Sequence, residues 1–314
     1  MSRRTPLPKG YNWLHVAFFV LSPPAALISV CAYVYHSGLY PGDVASFGFM
    51  LCGTGLAVNA GYHHYYSHRS YACHRLVQLF YLLFGAAAIQ KSALSWASRH
   101  RAHHRFVDQE GDPYNIQKGF FWAHIGWALY KNPLTPEQQY ANVPDLTADP
   151  LAVWQDRHFH VISLATCVGL PLLIGYAYGR PWGSFLWGGL LRMVLFQHIT
   201  FLINSAGHSM GSQPYSTRNS SRDNWWLAFL MFGGGYHNFH HAFPGDYRSS
   251  FAWYHWDPAK WWIWSLNRVG LTHHLKRTPL PVIMRTRQRT ERVKAERRSH
   301  TWSAERKSQC LPNQ

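Results

Sequence analysis

The sequence predicts an all-α membrane protein in which four transmembrane helices stand beneath a helical cap, and the cap carries a metal site. Three observations predict it. Four apolar runs are each long enough for a span, since about 20 residues cross the hydrocarbon core. Dense histidine clusters, HHYYSH at 63–68, HRAHHR at 100–105 and HNFHH at 237–241, sit at the edges of apolar segments. Basic residues gather on one side of the spans.

In chain order, residues 1–13 form a basic N-terminal segment with Arg3, Arg4 and Lys9. The first span is 14–35, interrupted by Pro23-Pro24, and the second is 44–62, rich in small residues including Gly48, Gly53, Gly55 and Gly61. Together they form a hairpin. Residues 76–93 are apolar enough to cross as well, but a crossing would put the first two histidine clusters on opposite faces, which one shared metal site forbids. That stretch is therefore expected at the interface or buried against the spans. Pro133, Pro136, Pro144 and Pro150 mark a loop. The third and fourth spans, 161–178 and 185–206, turn at Gly179-Arg180-Pro181. Arg192, inside the last span, is expected to face the protein interior, because a charge facing lipid is expensive. No stretch reads as a cleavable signal peptide. Residues 14–275 thus make one domain, and the tail 276–314 is expected to be basic and disordered.

Lys and Arg number 30 against 14 Asp and Glu, a net charge of +16. Much of it lies in the tail, at Arg285, Arg287, Arg289, Arg292, Arg297 and Arg298. No nucleic-acid fold accompanies this segment, so nucleic acid is not expected as a partner. Anionic lipid headgroups or an acidic redox protein suit it instead. Arg3, Arg4, Lys9, Arg99, Arg101, Arg105 and Lys118 all fall on the face that four spans give to both termini. By the positive-inside rule that face, with all three clusters, is cytoplasmic.

The metal site follows from spacing. His100, His103 and His104, like His237, His240 and His241, stand at i, i+3, i+4, which on a helix puts three imidazoles on one face. His63 and His68 are five apart, about 140° around an ideal α-helix, so they converge only where the helix ends or distorts. Imidazole suits iron, zinc and copper alike. Cys31, Cys52, Cys73, Cys167 and Cys310 offer no ligand spacing, which argues against a zinc ribbon or an iron-sulfur cluster.

These motifs, in this order, resemble the membrane-bound fatty acid desaturases, and more closely their acyl-CoA delta-9 (stearoyl-CoA type) branch. The resemblance runs from Gly53 to Tyr254 and rests on HxxxxH, HRAHH, GDPYN at 111–115, FFWAHIGW at 120–127, NSAGH at 204–208 and HNFHHAFPGDY at 237–247. It implies a non-haem di-iron centre in which His63, His68, His100, His103, His104, His208, His237, His240 and His241 are ligands. Asn204 would hold one iron through a water, and His124 matches a position near the shell.

The resemblance further implies oxygen-dependent removal of hydrogen from two neighbouring methylenes of a saturated acyl chain, CoA-bound or lipid-linked, with O2 as co-substrate. Such a chain would lie in an apolar tunnel walled by Phe47, Leu51 and Gly55 of the second span. No dinucleotide fingerprint or haem domain is recognisable, so electrons are expected from a ferredoxin, rubredoxin or cytochrome type of partner. Three departures stand out: Ser98-Arg99 precede the second cluster where the animal acyl-CoA enzymes have Arg-Asp, Gly234 replaces an acidic residue, and His64 and Tyr66 replace Arg and Trp. Two other readings use the same residues. A histidine-box hydroxylase of alkanes, sterols or carotenoids would differ in product. Against a non-catalytic metal-binding membrane protein stands the placing of the histidines at helix ends rather than along a transmembrane path.

Overall fold

The computed structural model describes residues 10–132 and 134–309, the side chains of 136 and 300–309 excepted. Arg3, Arg4, Lys9, Pro133 and Cys310 lie outside the described residues. Among the described residues four helices are long and apolar enough to cross a membrane: Trp13–Ser37, Pro41–Ser67, Phe159–Tyr176 and Pro181–His208. The first, second and fourth contain the expected spans 14–35, 44–62 and 185–206 and extend them, while the third starts and ends two residues earlier than the expected 161–178. A helix is the natural solution in lipid because it satisfies its own backbone hydrogen bonds. Pro23 and Pro24 are accommodated inside the first span. In the hairpin turns, Gly38 and Gly179 take φ values of +71° and +76°, a conformation that favours glycine.

The helix Arg75–Ala86 is the expected fifth apolar element. At twelve residues, about 18 Å, it is too short for a hydrocarbon core of about 30 Å. It packs against the second span so closely that a Cβ on Gly61 would lie 2.5 Å from the Tyr81 ring, and one on Gly85 2.3 Å from the Tyr62 ring. Tyr62, Tyr81 and Leu82 are fully buried in this contact. Two residues on either side of the chain form the sole strand pairing among the described residues, Ala72–Cys73 with Thr272–His273, so the prediction of an all-α fold holds. With four crossings, 38–40 and 177–180 turn on one side, and every histidine cluster lies in the cap on the other.

Charges inside the spans are engaged by protein. Arg192 is fully buried, and its guanidinium donates to the carbonyls of Gly188 (2.9 Å) and Ala87 (2.8 Å) and contacts the Cys167 sulfur (3.5 Å). At the far end from the cap, buried Asp43 accepts from the Tyr178 hydroxyl (3.0 Å), and Arg180 Nε lies 3.3 Å from its other oxygen. Arg180 also donates to the carbonyls of Ser37 and Gly38, so one cluster clasps both hairpins. Gly183 is what lets Asp43 in: a Cβ there would stand 2.5 Å from the carboxylate.

The tail corrects an expectation. Leu280–Gln309 is a helix, not a disordered segment. Ile283 and Thr290, seven residues apart and so on one face, are buried against the cap. Ile283 packs with Tyr215 and Phe239, while the Thr290 hydroxyl donates to the Tyr215 carbonyl at 2.8 Å. The basic composition hid this narrow docking stripe.

Removing the clasp should loosen the transmembrane bundle. Asp43→Ala leaves the Tyr178 hydroxyl without its acceptor and should cost about 1–3 kcal/mol. The measure is the thermal midpoint in detergent, and an unchanged midpoint would remove the clasp from the account of stability.

Candidate metal centre

Each histidine cluster is presented by a local device. Residues Ala57–Ser67 wind as a π-helix, and the His68 N–H donates to the His63 carbonyl five residues back, at 3.2 Å. That distortion brings His63 and His68 to one face, as their spacing requires. The helix Ala93–Phe106 starts at Ser92, whose hydroxyl accepts the Ser95 N–H, and carries His100, His103 and His104 on one side. Trp96 stacks on the His100 ring with centroids 4.9 Å apart. A last 3-10 turn, Ala206–His208, delivers His208 at the end of the fourth span.

The short helix His237–Ala242 depends on Asp223. Its carboxylate accepts the N–H groups of Asn238 (2.8 Å) and Phe239 (3.0 Å), two of the donors that a helix start leaves unpaired. Burial pushes the Asp223 carboxyl up to about 7 against these two bonds. The Asn238 side chain in turn accepts from the Tyr215 and Ser216 N–H groups and donates to the Ser216 and Ser221 carbonyls, fixing the loop beside it.

Nine of the sequence-predicted ligands converge in two groups. His63, His68, His100, His104 and His240 form one, and His103, His208, His237 and His241 the other, with the ligand atoms of each group within 4.8 Å of one another. Facing Nε2 atoms come as near as 2.8 Å (His68, His100), 2.9 Å (His63, His240) and 3.0 Å (His208, His237). Burial above all, and then neighbouring charges that include the other imidazoles, drives His68, His100, His104, His240 and His241 well below the usual histidine range, and His237 to about 3. The rings are therefore neutral at pH 7, the form that binds metal. This donor set fits metal ions held by nitrogen at about 2.1 Å.

The outer partners differ between the groups. His103 Nδ1 lies 2.8 Å from the Asp112 carboxylate. His208 Nδ1 meets the Ser220 hydroxyl at 2.8 Å, and that hydroxyl donates to Asp108 at 2.5 Å. In the five-histidine group, His63 Nδ1 meets the neutral Asn59 amide at 3.0 Å, and His240 Nδ1 is buried without a hydrogen-bond partner among the described residues. Carboxylates thus back only the four-histidine group in these contacts. Asn59 stands one helical turn before His63 and could have been found from that offset. Asp112 sits in the GDPYN motif, whereas Asp108 and Ser220 carry no sequence signal.

Other predicted residues fall elsewhere. Asn204 belongs to neither group but lines the adjoining cavity with His63, His100 and His237. His124 is not beside the metal groups: its ring contacts Ser205 (3.1 Å) and His198 (3.1 Å). His64 contacts Ser249 at 3.2 Å.

The cavity holds about 1480 Å³ and reaches apolar walls at Phe18, Phe19, Ile89, Cys167, Val168 and Phe201. Lys91, Arg99 and Lys131 also line it. Ile89 and Lys91 have φ of +53° and +78°, strained values for side chains of this size. Phe47, Leu51 and Gly55 stand apart from this wall. Phe47 meets Trp187, Leu51 packs with Phe196 and Met231, and Phe232 covers Gly55 so tightly that a Cβ would lie 2.3 Å from its ring. Gly234 lines the cavity where the departure from the resembling family lies.

The sequence model described as Fatty acid desaturase matches residues 43–275. The chain is 42% identical over 224 residues to acyl-CoA desaturase 1 of Saccharomyces cerevisiae, a match covering 71% of this chain and 44% of that one. It is 34% identical over 250 residues to stearoyl-CoA desaturase 5 of Homo sapiens, covering 78% and 75%. It is 33% identical over 269 residues to sn-1 stearoyl-lipid 9-desaturase of Anabaena variabilis, covering 84% and 94%. Against the two fungal relatives, those of S. cerevisiae and Schizosaccharomyces pombe, the chain spans about half the relative's length, 44% and 55%.

Two outcomes test the centre. Above pH 6.5 folded and unfolded histidines are both neutral, but as pH falls below 6.5 the unfolded chain takes up protons that the buried rings refuse. Metal-stripped protein should therefore lose thermal stability steadily from pH 6.5 downward, and a flat profile to about pH 4.5 would contradict the buried neutral cluster. Asp112→Ala should weaken one metal position by about 10–100-fold while sparing the other, read as metal content after dialysis against a chelator.

Proposed function

The chain belongs to the fatty acid desaturase family, and we propose that it introduces a double bond at the delta-9 position of a saturated fatty acyl chain. The observation that carries this reading is the pair of buried histidine groups opening onto an apolar cavity large enough for a long acyl chain. His63, His68, His100, His104 and His240 would hold one iron, and His103, His208, His237 and His241 the other, with Asn204 beside them through a water. Bound iron supplies, with O2, the redox chemistry that unactivated C–H bonds demand and that acid/base residues cannot provide.

The chain's own residues do the rest. Phe18, Phe19, Val168 and Phe201 hold the acyl tail and exclude water, so that one methylene pair stands at the histidine end of the cavity. Lys91, Arg99 and Lys131 suit the phosphates of a carrier such as CoA. Relatives named for acyl-CoA and for stearoyl-lipid substrates both match, so the carrier itself is for experiment. The cap, both chain ends and the centre would face the cytoplasm, where a ferredoxin, rubredoxin or cytochrome type of protein would supply electrons.

Expression in a host unable to make unsaturated fatty acids, with chromatography and mass spectrometry of its lipids, should reveal delta-9 monounsaturated chains. Hydroxylated chains in their place would favour the oxygenase reading. His104→Ala and His240→Ala should abolish product and lower iron content, and either variant with near wild-type turnover and full iron would overturn the ligand assignment. Val168→Trp should shift products toward shorter chains, since a pocket discriminates by about 1–3 kcal/mol per methylene, whereas Leu51→Ala should leave the profile unchanged. The reverse pattern would return the tunnel to the second span.

A further inference from the structure

On the surface of the cap lies a second cavity, a cleft of about 600 Å³ between the loop that carries Ser220 and the tail helix. Five cations line it: Arg218, Arg222, Lys294, Arg297 and Arg298. Lys294 is paired with Glu291 at 2.8 Å, and Arg222 donates to the Gly211 carbonyl at 3.2 Å. Arg222 Nε is buried there without a hydrogen-bond partner among the described residues. Asp108 and Ser220 form part of the same wall. They are also the pair that reaches the metal centre, since the Ser220 hydroxyl and N–H donate to the Asp108 carboxylate at 2.5 and 2.6 Å on one side and the hydroxyl meets His208 Nδ1 at 2.8 Å on the other. One hydrogen bond therefore links the cleft wall to a ring of the four-histidine group.

The five-histidine group has no such outlet through His63. Its partner Asn59 is buried and donates to the Met231 and Phe232 carbonyls in the interior. The substrate cavity, for its part, is lined by His63, His100 and His237 and lacks His208. Fuel and substrate can thus reach the centre from different sides.

We infer that this cleft is the docking site of an acidic one-electron carrier protein, and that electrons enter the four-histidine group by way of Ser220 and His208. The inference rests on the desaturase reading for its electron demand. Each encounter oxidises one carrier by one electron and reduces the centre by one. Two encounters and two protons, with the two hydrogens taken from the acyl chain, convert one O2 into two waters and leave one double bond. Charge complementarity sets the carrier's sign, because like-charged partners are repelled and opposite charges speed encounter.

The test uses the full chain in detergent with two acidic probes, a reduced plant-type ferredoxin and the reduced soluble haem domain of cytochrome b5. Anaerobic oxidation of each probe by the ferric protein is followed directly, and dithionite-driven single turnover of acyl substrate is measured in parallel. The triple variant Arg218→Glu, Lys294→Glu, Arg298→Glu should raise the KM for a probe by tenfold or more and flatten its salt dependence, with dithionite-driven turnover unchanged. Ser220→Ala should slow electron transfer at saturating probe with little change in KM, and Ser220→Thr should restore it. A KM shift under twofold for both probes would overturn the docking site. So would loss of binding to phosphatidylserine vesicles in the triple variant with probe oxidation intact, which would make the cleft a lipid contact. Absence of product with dithionite in the wild type would instead strike the desaturase reading, while probe oxidation would still report on docking.

Discussion

Nine imidazoles from distant parts of the chain are crowded into one cap, and the rest of the architecture answers that constraint. Each ring that gained a proton would repel several neighbours at short range in a region that excludes water. Burial removes the proton, but burial of polar rings is itself costly unless each has a partner. The outer hydrogen bonds to Asn59, Asp112 and Ser220 satisfy three of the rings, and metal ions, which both groups could hold, would satisfy the converging Nε2 atoms. The spans serve this end by fixing where the helices stop.

Convergence from distant parts of the chain needs irregular backbone at defined places. A regular α-helix would aim His63 and His68 apart, and the π-wound segment Ala57–Ser67 turns them together. The same device recurs in Ala165–Gly169 of the third span and Phe185–Leu191 of the fourth. The His237–Ala242 helix is too short to stand by its own hydrogen bonds, so Asp223 anchors its start and Phe239 anchors its inner face. Ile283 of the tail helix closes over Phe239, which ties an apparently peripheral segment to the centre.

The spans and the histidine groups were legible because apolar length and i, i+3, i+4 spacing are local properties of a sequence. Even the need for a distortion near His63 could be read from its five-residue offset. What lay hidden depends on tertiary packing. Asp108 and Ser220 are 112 residues apart and meet only in the fold. The tail's docking face amounts to a few residues in a basic helix, too sparse for a periodicity argument. The cavity wall could not be read from the second span alone, since which helix faces the cavity is decided by how Phe232, Phe196 and Trp187 fill the other faces.

An asymmetry runs through the centre. In the hydrogen bonds described, carboxylates back only the four-histidine group, directly at His103 and through Ser220 at His208, while His63 leans on a neutral amide and His240 on nothing. A carboxylate behind an imidazole raises its basicity and draws positive charge toward the metal it holds. The group nearer the basic cleft is thus the one whose outer partners would better offset the positive charge of a bound ion. The cavity borders both groups, through His63 and His100 of the one and His237 of the other, so the difference between them lies in the outer partners. Two positions built from the same side chain are in this way made unequal by what stands behind the rings.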